Sequence, residues 1–287
     1  MLKIFLKTVY FILIILDKFI KIFAKRFEFL LFLKEYIEIN SYKEISIKNN
    51  KKIKFFVPNK SVDLRIKRFF TKEPGTLKWI DDFDLSDNST FWDIGANIGI
   101  FSLYAAKIHE KIKVVAFEPS TSNLRTLSRN ISINNFQHKI LINQLAINDK
   151  ESIFQTFNER RFQEGSSFNF FDEEKMANLK SNSFENKYSI FGTTLDFFLK
   201  NTVLEIPNYI KIDVDGNEDL VLSSIKDHLK NPTIKSIILE LDEKDEAKKK
   251  YIIETLNNAS FKIISVDKSL DNKKTKYHSM RNYIFNR

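Results

Sequence analysis

Between Thr90 and the carboxyl terminus, seven short apolar runs alternate with stretches of helical periodicity, and no other feature limits the fold as strongly. The runs are Thr90–Ile94, Lys113–Phe117, Ile140–Leu145, Tyr209–Ile212, Ile234–Leu241, Phe261–Val266 and Asn282–Phe285. Runs of this length with helices between most of them predict an α/β fold built on a doubly wound, seven-stranded, mostly parallel sheet. One gap is too long for a single crossover helix, since 151–207 also holds Gly165-Ser166-Ser167 and the Asn- and Ser-rich stretch Asn178–Asn186. An insertion above a sheet is a natural place for substrate contacts, and Ser166 is its candidate residue.

The first of these strands leads into Asp93-Ile94-Gly95-Ala96-Asn97-Ile98-Gly99, a strand, a tight glycine turn and a helix start in sequence. This order lets backbone approach a bound cofactor closely. The pattern departs from G-x-G-x-x-G. Gly95 and Gly99 with Asn97 between them suit a nucleoside with an uncharged linker, such as S-adenosyl-L-methionine (SAM), better than a dinucleotide pyrophosphate. Asp93 would face the amino-acid end of that molecule or a bridging water. The second strand ends in Phe117-Glu118-Pro119, and Glu118 lies 23 residues beyond Gly95. An acid about 20 residues past the turn is where this architecture places an acceptor for two ribose hydroxyls.

The fourth strand delivers acids to its carboxyl end in Lys211-Ile212-Asp213-Val214-Asp215-Gly216-Asn217-Glu218, where open sheets bind ligands. Displacement at a sulfonium methyl needs an in-line nucleophile that can lose a proton, so a carboxylate there can orient or accept the proton of a hydroxyl. Asp213 is the first candidate, with Asp215 and Glu218 beside it. Glu240 and Asp242 close the fifth strand, and Glu240 is a candidate substrate contact. A divalent ion held by Asp213, Asp215 and Glu240 is the less favoured reading, because acids at strand ends more often cap the next helix or orient lysines. No metal is expected. His109, His138, His228 and His278 lack metal-ligand spacing, and only His278 precedes a strand that could bring it near the site.

These pieces resemble the FkbM-type SAM-dependent methyltransferases. The likeness runs from about Glu73 to Glu243 and is carried by Trp92–Gly99, by Phe117-Glu118-Pro119 with Asn123 and Arg129-Asn130, by Thr194-Leu195-Asp196, and by Ile210–Glu218. The family usually shows Glu where this chain has Asp215, which keeps the charge and shortens its reach. The resemblance implies a Rossmann-like class I methyltransferase fold and transfer of a methyl group to oxygen on a sugar, glycan, glycolipid or other hydroxyl-bearing metabolite. The rival readings are an NAD-dependent oxidoreductase, disfavoured by the missing third glycine, and a non-catalytic membrane-surface scaffold.

The organisation expected is an amphipathic helix in 1–40, a hairpin and helix extension in 41–85, and the catalytic domain in 86–287. Leu2 to Leu33 contains no Gly or Pro and reads as one long helix. Its polar residues fall within a sector of about 100°, leaving the rest to Ile, Leu, Phe and Val. The apolar run Val9–Leu16 falls far short of the about 18 residues that argue a membrane span. A helix lying on an anionic membrane surface therefore fits 2–33 better than its alternative, a helix packed on its own domain or a partner, giving a cytoplasmic protein held at the inner membrane face, with a lipid-linked acceptor within reach. Lys18, Lys21, Lys25 and Arg26 follow the apolar run without a small-residue cleavage pattern, which disfavours a signal peptide. Composition matters at two points. The net charge is +9, but residues 1–34 hold seven Lys or Arg against two acids, so nucleic acid is not the expected partner. The chain has no cysteine, which removes thiolate metal sites and cysteine nucleophiles. Neither a G-x-S-x-G nor a P-loop pattern occurs, which argues against a serine hydrolase or a P-loop NTPase.

Overall fold

The computed structural model describes residues 1–85, 89–167, 184–267 and 279–287. His278 and most of Asn178–Asn186 lie outside them. The seven expected strands form one sheet, numbered here as β3 (Thr90–Ile94), β4 (Lys113–Phe117), β5 (Ile140–Asn143), β9 (Tyr209–Ile212), β10 (Ser236–Asp242), β11 (Lys262–Asp267) and β12 (Met280–Asn286). Their spatial order is β5-β4-β3-β9-β10-β12-β11. All neighbouring pairs from β5 to β10 are parallel, whereas β12 runs antiparallel to both β10 and β11. The chain builds outward from β3 in one direction and then restarts at β9 in the other. The carboxyl ends of β3 and β9 therefore flank the switch point where open sheets leave a crevice.

Side-chain alternation along each strand divides the core in two. Phe91, Val114, Ile238 and Ile284 face one side, under α5 (Ile100–Ile108) and α6 (Thr121–Ile133). Trp92, Val115, Ile237, Leu239 and Phe285 face the other, under α7 (Leu195–Asn201), α8 (Glu218–Ser223) and α9 (Glu246–Asn258). Fully burying side chains of this size contributes about 1.5–3 kcal/mol each, enough to fix the register of every central strand.

The extension is built into the first of these faces. β1 (Tyr42–Ser46) and β2 (Lys52–Phe56) form the expected antiparallel hairpin, with Asn49 and Asn50 at positive φ in its turn. α3 (Lys60–Lys67) is capped by the Asn59 side chain, which accepts from the Val62 N–H. α4 (Pro74–Asp81) has Pro74 in its first turn, where proline's missing N–H costs nothing. Ile53, Phe55, Val62, Ile66, Trp79 and Ile80 share one apolar cluster with the sheet.

The structure adds to one expectation and corrects others. The long insertion holds secondary structure of its own: β6 (Ala146–Ile147), β7 (Ile153–Glu159) and β8 (Asn186–Thr193) form a small sheet in the order β6-β8-β7. The apolar run Ile140–Leu145 is correspondingly divided, ending as a strand at Asn143 before Ala146 joins this second sheet. The amino-terminal segment is not one helix but two, α1 (Leu2–Phe23) and α2 (Phe29–Ile39). The break is a tertiary effect. Asp17, read as part of the polar stripe, is buried, and its Oδ1 accepts from the Leu30 N–H at the start of α2, 3.1 Å away. Lys21 pairs with the same carboxylate at 3.1 Å, and Phe27 stacks on Phe32. Glu38 on α2 then takes hydrogen bonds at 2.7 Å from Arg125 and Arg129 of α6, tying the pair to the body.

Candidate active site at the carboxyl ends of β3, β4 and β9

The turn after β3 is tight enough to require its glycine. Gly95 has φ +81°, and a Cβ there would lie 1.9 Å from the Asp213 carbonyl oxygen. The N–H groups of Gly95 and Ala96 both donate to the Phe117 carbonyl, at 2.9 and 3.0 Å, while the Asp213 N–H donates to the Ile94 carbonyl at 3.0 Å. Three strand ends are thus locked around one backbone loop. Asn97 takes φ +52°, a conformation Asn tolerates better than most residues, and its N–H donates to Glu118 Oε2 at 2.7 Å.

Glu118 is buried at the end of β4, where its Oε1 accepts from the Ser120 N–H at 2.9 Å and from Asn123 Nδ2 at 3.3 Å. Burial pushes its pKa up to about 7 against those donors. A carboxylate offers about four lone-pair positions, so the three donors leave one free, and release of the long 3.3 Å Asn123 bond would free a second for a diol. Behind it, the fully buried Glu159 of β7 accepts from the hydroxyls of Ser120, Ser122 and Tyr188 and braces the loop that carries Glu118.

A cleft of about 90 Å³ opens between these groups, lined by Gly95, Asn97, Glu118, Asn123, Ser166, Asp213, Asp215 and Asn217 over an apolar floor of Phe117, Leu145 and Phe157. Ser166 sits on the Glu118 side of the cleft, its carbonyl accepting from Asn97 Nδ2 at 2.8 Å and Asn123 Nδ2 at 3.2 Å. A larger cavity of about 920 Å³ lies at the other end of the sheet, against Trp79, Phe83 and the start of β9. It meets the amino ends of the parallel strands, away from the switch point and the acids.

Asp93 does not line the cleft. It is fully buried beneath the turn, with Oδ2 accepting from Ser102 N–H at 3.1 Å and Ser102 Oγ at 2.6 Å, so it holds the start of α5. Burial raises its pKa. Its Oδ1 lies 3.6 Å from Lys211 Nζ, which is itself 3.1 Å from Asp213 Oδ2 and stands over the Phe101 ring. Burial alone would lower the Lys211 pKa, but the two carboxylates raise it, and the ammonium is the fixed charge of this face. For Asp213 the balance is reversed: burial opposes ionisation, and Lys211, Lys72 and Arg65 override it, holding the pKa at about 2.

Glu218 shapes the loop after β9. Its Oε1 accepts from the Gly216 N–H at 3.0 Å and the Val214 N–H at 3.4 Å, and burial raises its pKa to about 7. Asp215 takes φ +53° at the cleft wall and contributes to raising the Glu118 pKa. Glu240 stands at the end of β10, on the sheet face that also carries Lys211 and Asp213. Among the described residues no group of three His, Asp or Glu is placed to hold a metal ion.

Sequence reasoning assigned no role to the residues that reach this face from the extension. Lys72 Nζ pairs with Glu73 Oε1 at 2.6 Å, and this neighbour pushes the Lys72 pKa up to about 12. Glu73 Oε2 accepts from Thr76 Oγ1 at 3.3 Å and Asn282 Nδ2 at 3.4 Å. Arg65 Nε donates to the Gly165 carbonyl at 2.7 Å, linking α3 to the loop over the cofactor side. The available signal was the family likeness beginning at Glu73, directly before the proline break. Two other motif pieces prove architectural. Asn130 joins Ile98 to Phe56 of the hairpin, and Asp196 binds His228 Nδ1 at 2.7 Å.

Strand order, glycine turn and ribose-type acid together define a class I methyltransferase architecture of the Rossmann-like kind. Residues 93–284 match the methyltransferase FkbM domain, and the chain belongs to that family. The cofactor is accordingly S-adenosyl-L-methionine, and the NAD-dependent reading falls away. Methyltransferase sdnD of Sordaria araneosa is 40% identical over 67 residues, covering 23% of this chain and about a quarter (26%) of that protein's length. Methyltransferase 1 of Beauveria bassiana (strain ARSEF 2860) is 27% identical over 199 residues, covering 65% of this chain and 79% of that one. Among solved structures, the precorrin-6y C5,15-methyltransferase of Geobacter metallireducens GS-15 overlaps at a TM-score of 0.43 and 14% identity, covering 75% of this chain and 86% of that one. Aeropyrum pernix fibrillarin with natively bound S-adenosyl-L-methionine overlaps at 0.41 and 10%, covering 85% and 94%.

Proposed function

We propose that this methyltransferase acts on a hydroxyl oxygen of a sugar, glycan, glycolipid or other metabolite, at a membrane surface. The observation that carries the reading is the polar row on one sheet face, where Asp213, which lines the cleft, has Glu240 beside it at the next step in register on β10. Gly95 and Glu118 line one cleft with Asp215 and Asn217, and Glu118 keeps acceptor capacity that a ribose diol can use once the long Asn123 bond is released. The bound cofactor supplies an electrophilic methyl group on a sulfonium. The chain's own contribution is to orient the attacking hydroxyl, for which the permanently ionised Asp213 is suited.

The membrane part of the reading rests on the amino-terminal pair. α1 and α2 expose Leu2, Phe5, Phe11, Ile12, Phe19 and Phe32 beside a surplus of basic residues, and no helix among the described residues is long and apolar enough to cross a membrane. Such a surface fits the interface of an anionic bilayer and a lipid-linked acceptor presented there. Incubation of the protein with methyl-labelled SAM and a total cell extract tests the acceptor class. Label in the lipid or glycan fraction supports the proposal; label confined to RNA or protein contradicts it. Removal of residues 1–34 is expected to abolish sedimentation with anionic vesicles while sparing transfer to a soluble acceptor. Unchanged vesicle binding would contradict the membrane reading.

A further inference from the structure

Asp213 is poorly equipped to take a proton. One of its oxygens is held by Lys211 at 3.1 Å, and the surrounding cations stabilise its charge so strongly that it is a weak base. The neighbouring strand offers a different carboxylate. β9 and β10 are parallel, with Lys211 opposite Ile238 and Ile212 opposite Leu239, so the next step in register sets Glu240 beside Asp213. Adjacent strands lie about 4.8 Å apart, which places both carboxylates within reach of one hydroxyl.

The two acids differ in what already binds them. Among the described residues the Glu240 side chain has no hydrogen-bond partner, and the residue is half-buried. On its other side β12 presents Asn282, whose Nδ2 is given to Glu73 and Thr76. The groups facing Glu240 from its surroundings are Asp213 on β9, Glu73 and Lys72 from the chain leading into α4, and Glu218 at the start of α8. Three are acids and one is a cation already paired with Glu73.

We propose that Glu240 is the general base of the reaction, with Asp213 orienting the acceptor. This rests on the O-methylation reading above. The acceptor oxygen forms the new C–O bond as the methyl C–S bond breaks, the bonding pair remains on sulfur, and the hydroxyl proton passes to the Glu240 carboxylate. Positive charge on sulfur and negative charge on Glu240 disappear together. Burial and the facing acids raise the Glu240 pKa well above the usual carboxylate range, which makes it the stronger base of the pair. Transfer therefore rises with pH through that raised value, because only the ionised form accepts a proton.

The test uses the full-length protein, saturating methyl-labelled SAM and the total extract as acceptor source. Glu240→Gln is expected to lower initial transfer about 100-fold or more, in the range of a lost general base, and to remove the acid limb of the pH profile. Its SAM affinity by calorimetry is expected to stay within about threefold of the wild type, since Glu240 lies outside the cofactor half of the cleft. Glu240→Asp keeps an ionisable group and is expected to transfer at least about tenfold faster than Glu240→Gln with an acid limb retained. Equal rates in the two variants, or a Glu240→Gln rate within about threefold of wild type, would overturn the proposal. A readout independent of turnover is ¹³C NMR of the carboxyl groups in the cofactor-free protein. The resonance absent from Glu240→Gln should titrate above the ordinary carboxylate range, and titration within or below that range would also overturn it. Failure of the wild type to bind SAM or to transfer label would instead count against the methyltransferase reading beneath it.

Discussion

The two halves of the cleft are built by different means. The half proposed to hold the cofactor uses backbone: Gly95, Ala96 and Asn97 point N–H groups at Phe117 and Glu118, all within one strand-turn-helix unit and the strand that follows it. The half proposed for the acceptor uses charge assembled from distant parts of the chain, with Lys72 and Glu73 from the extension, Asp93 from β3, Lys211 and Asp213 from β9, and Glu240 from β10. A backbone cradle recognises a fixed ligand through local sequence. A charge row can be retuned one residue at a time, which suits the end of the site where acceptors differ.

Substitutions that strike one half alone sharpen that contrast. Gly95→Ala should have the largest effect, because its Cβ meets the Asp213 carbonyl and the junction of both halves must move. Loss of measurable SAM binding together with a lowered Tm is expected, and a stable variant with normal affinity would break the account of the turn. Glu118→Ala should next reduce SAM affinity by about 100-fold or more, since two hydrogen bonds to a charged group contribute about 1.5–3 kcal/mol each. Asp213→Asn should leave SAM affinity within about threefold and slow transfer by about 10–100-fold, the mark of an acceptor-side residue. Alanine is the less informative replacement there, because it strips the buried Lys211 of its nearer partner. The smallest expected effect comes from pH. Glu118 has its pKa raised to about 7 and accepts ribose hydroxyls when ionised, so SAM affinity should weaken as pH falls below 7 and level off above it. A pH-independent affinity that depends on Glu118 would contradict that assignment.

The meeting of the Gly95 turn with Glu118 was legible in the sequence for the same reason that it is local. Gly95, Gly99 and Glu118 follow one another at spacings set by a single β-turn-α-β unit, and the seven strands announce themselves as apolar runs. What escaped was decided by long-range contacts. Nothing in Ala24–Glu28 predicts a helix break without Gly or Pro; Asp17 and the packing of α2 impose it. The small β6-β8-β7 sheet joins residues far apart in sequence and interrupted by polar stretches. Asp93 has the expected position but a different duty, because the strand's pleat turns its carboxylate toward Ser102 rather than into the cleft. Lys72 and Glu73 looked like an ordinary prelude to a proline turn, and only folding brings them against Asn282 and the acids of β9 and β10.

The central claim is that the nucleoside lies between the Gly95 turn and Glu118, with the methyl group directed toward Asp213 and Glu240. A crystal structure of the protein with S-adenosylhomocysteine tests it most directly. The account predicts both ribose hydroxyls within hydrogen-bond distance of the Glu118 carboxylate and the amino-acid end against the Gly95 turn. Ligand density in the cavity beside Trp79 and Phe83, with the Glu118 cleft empty, would contradict it.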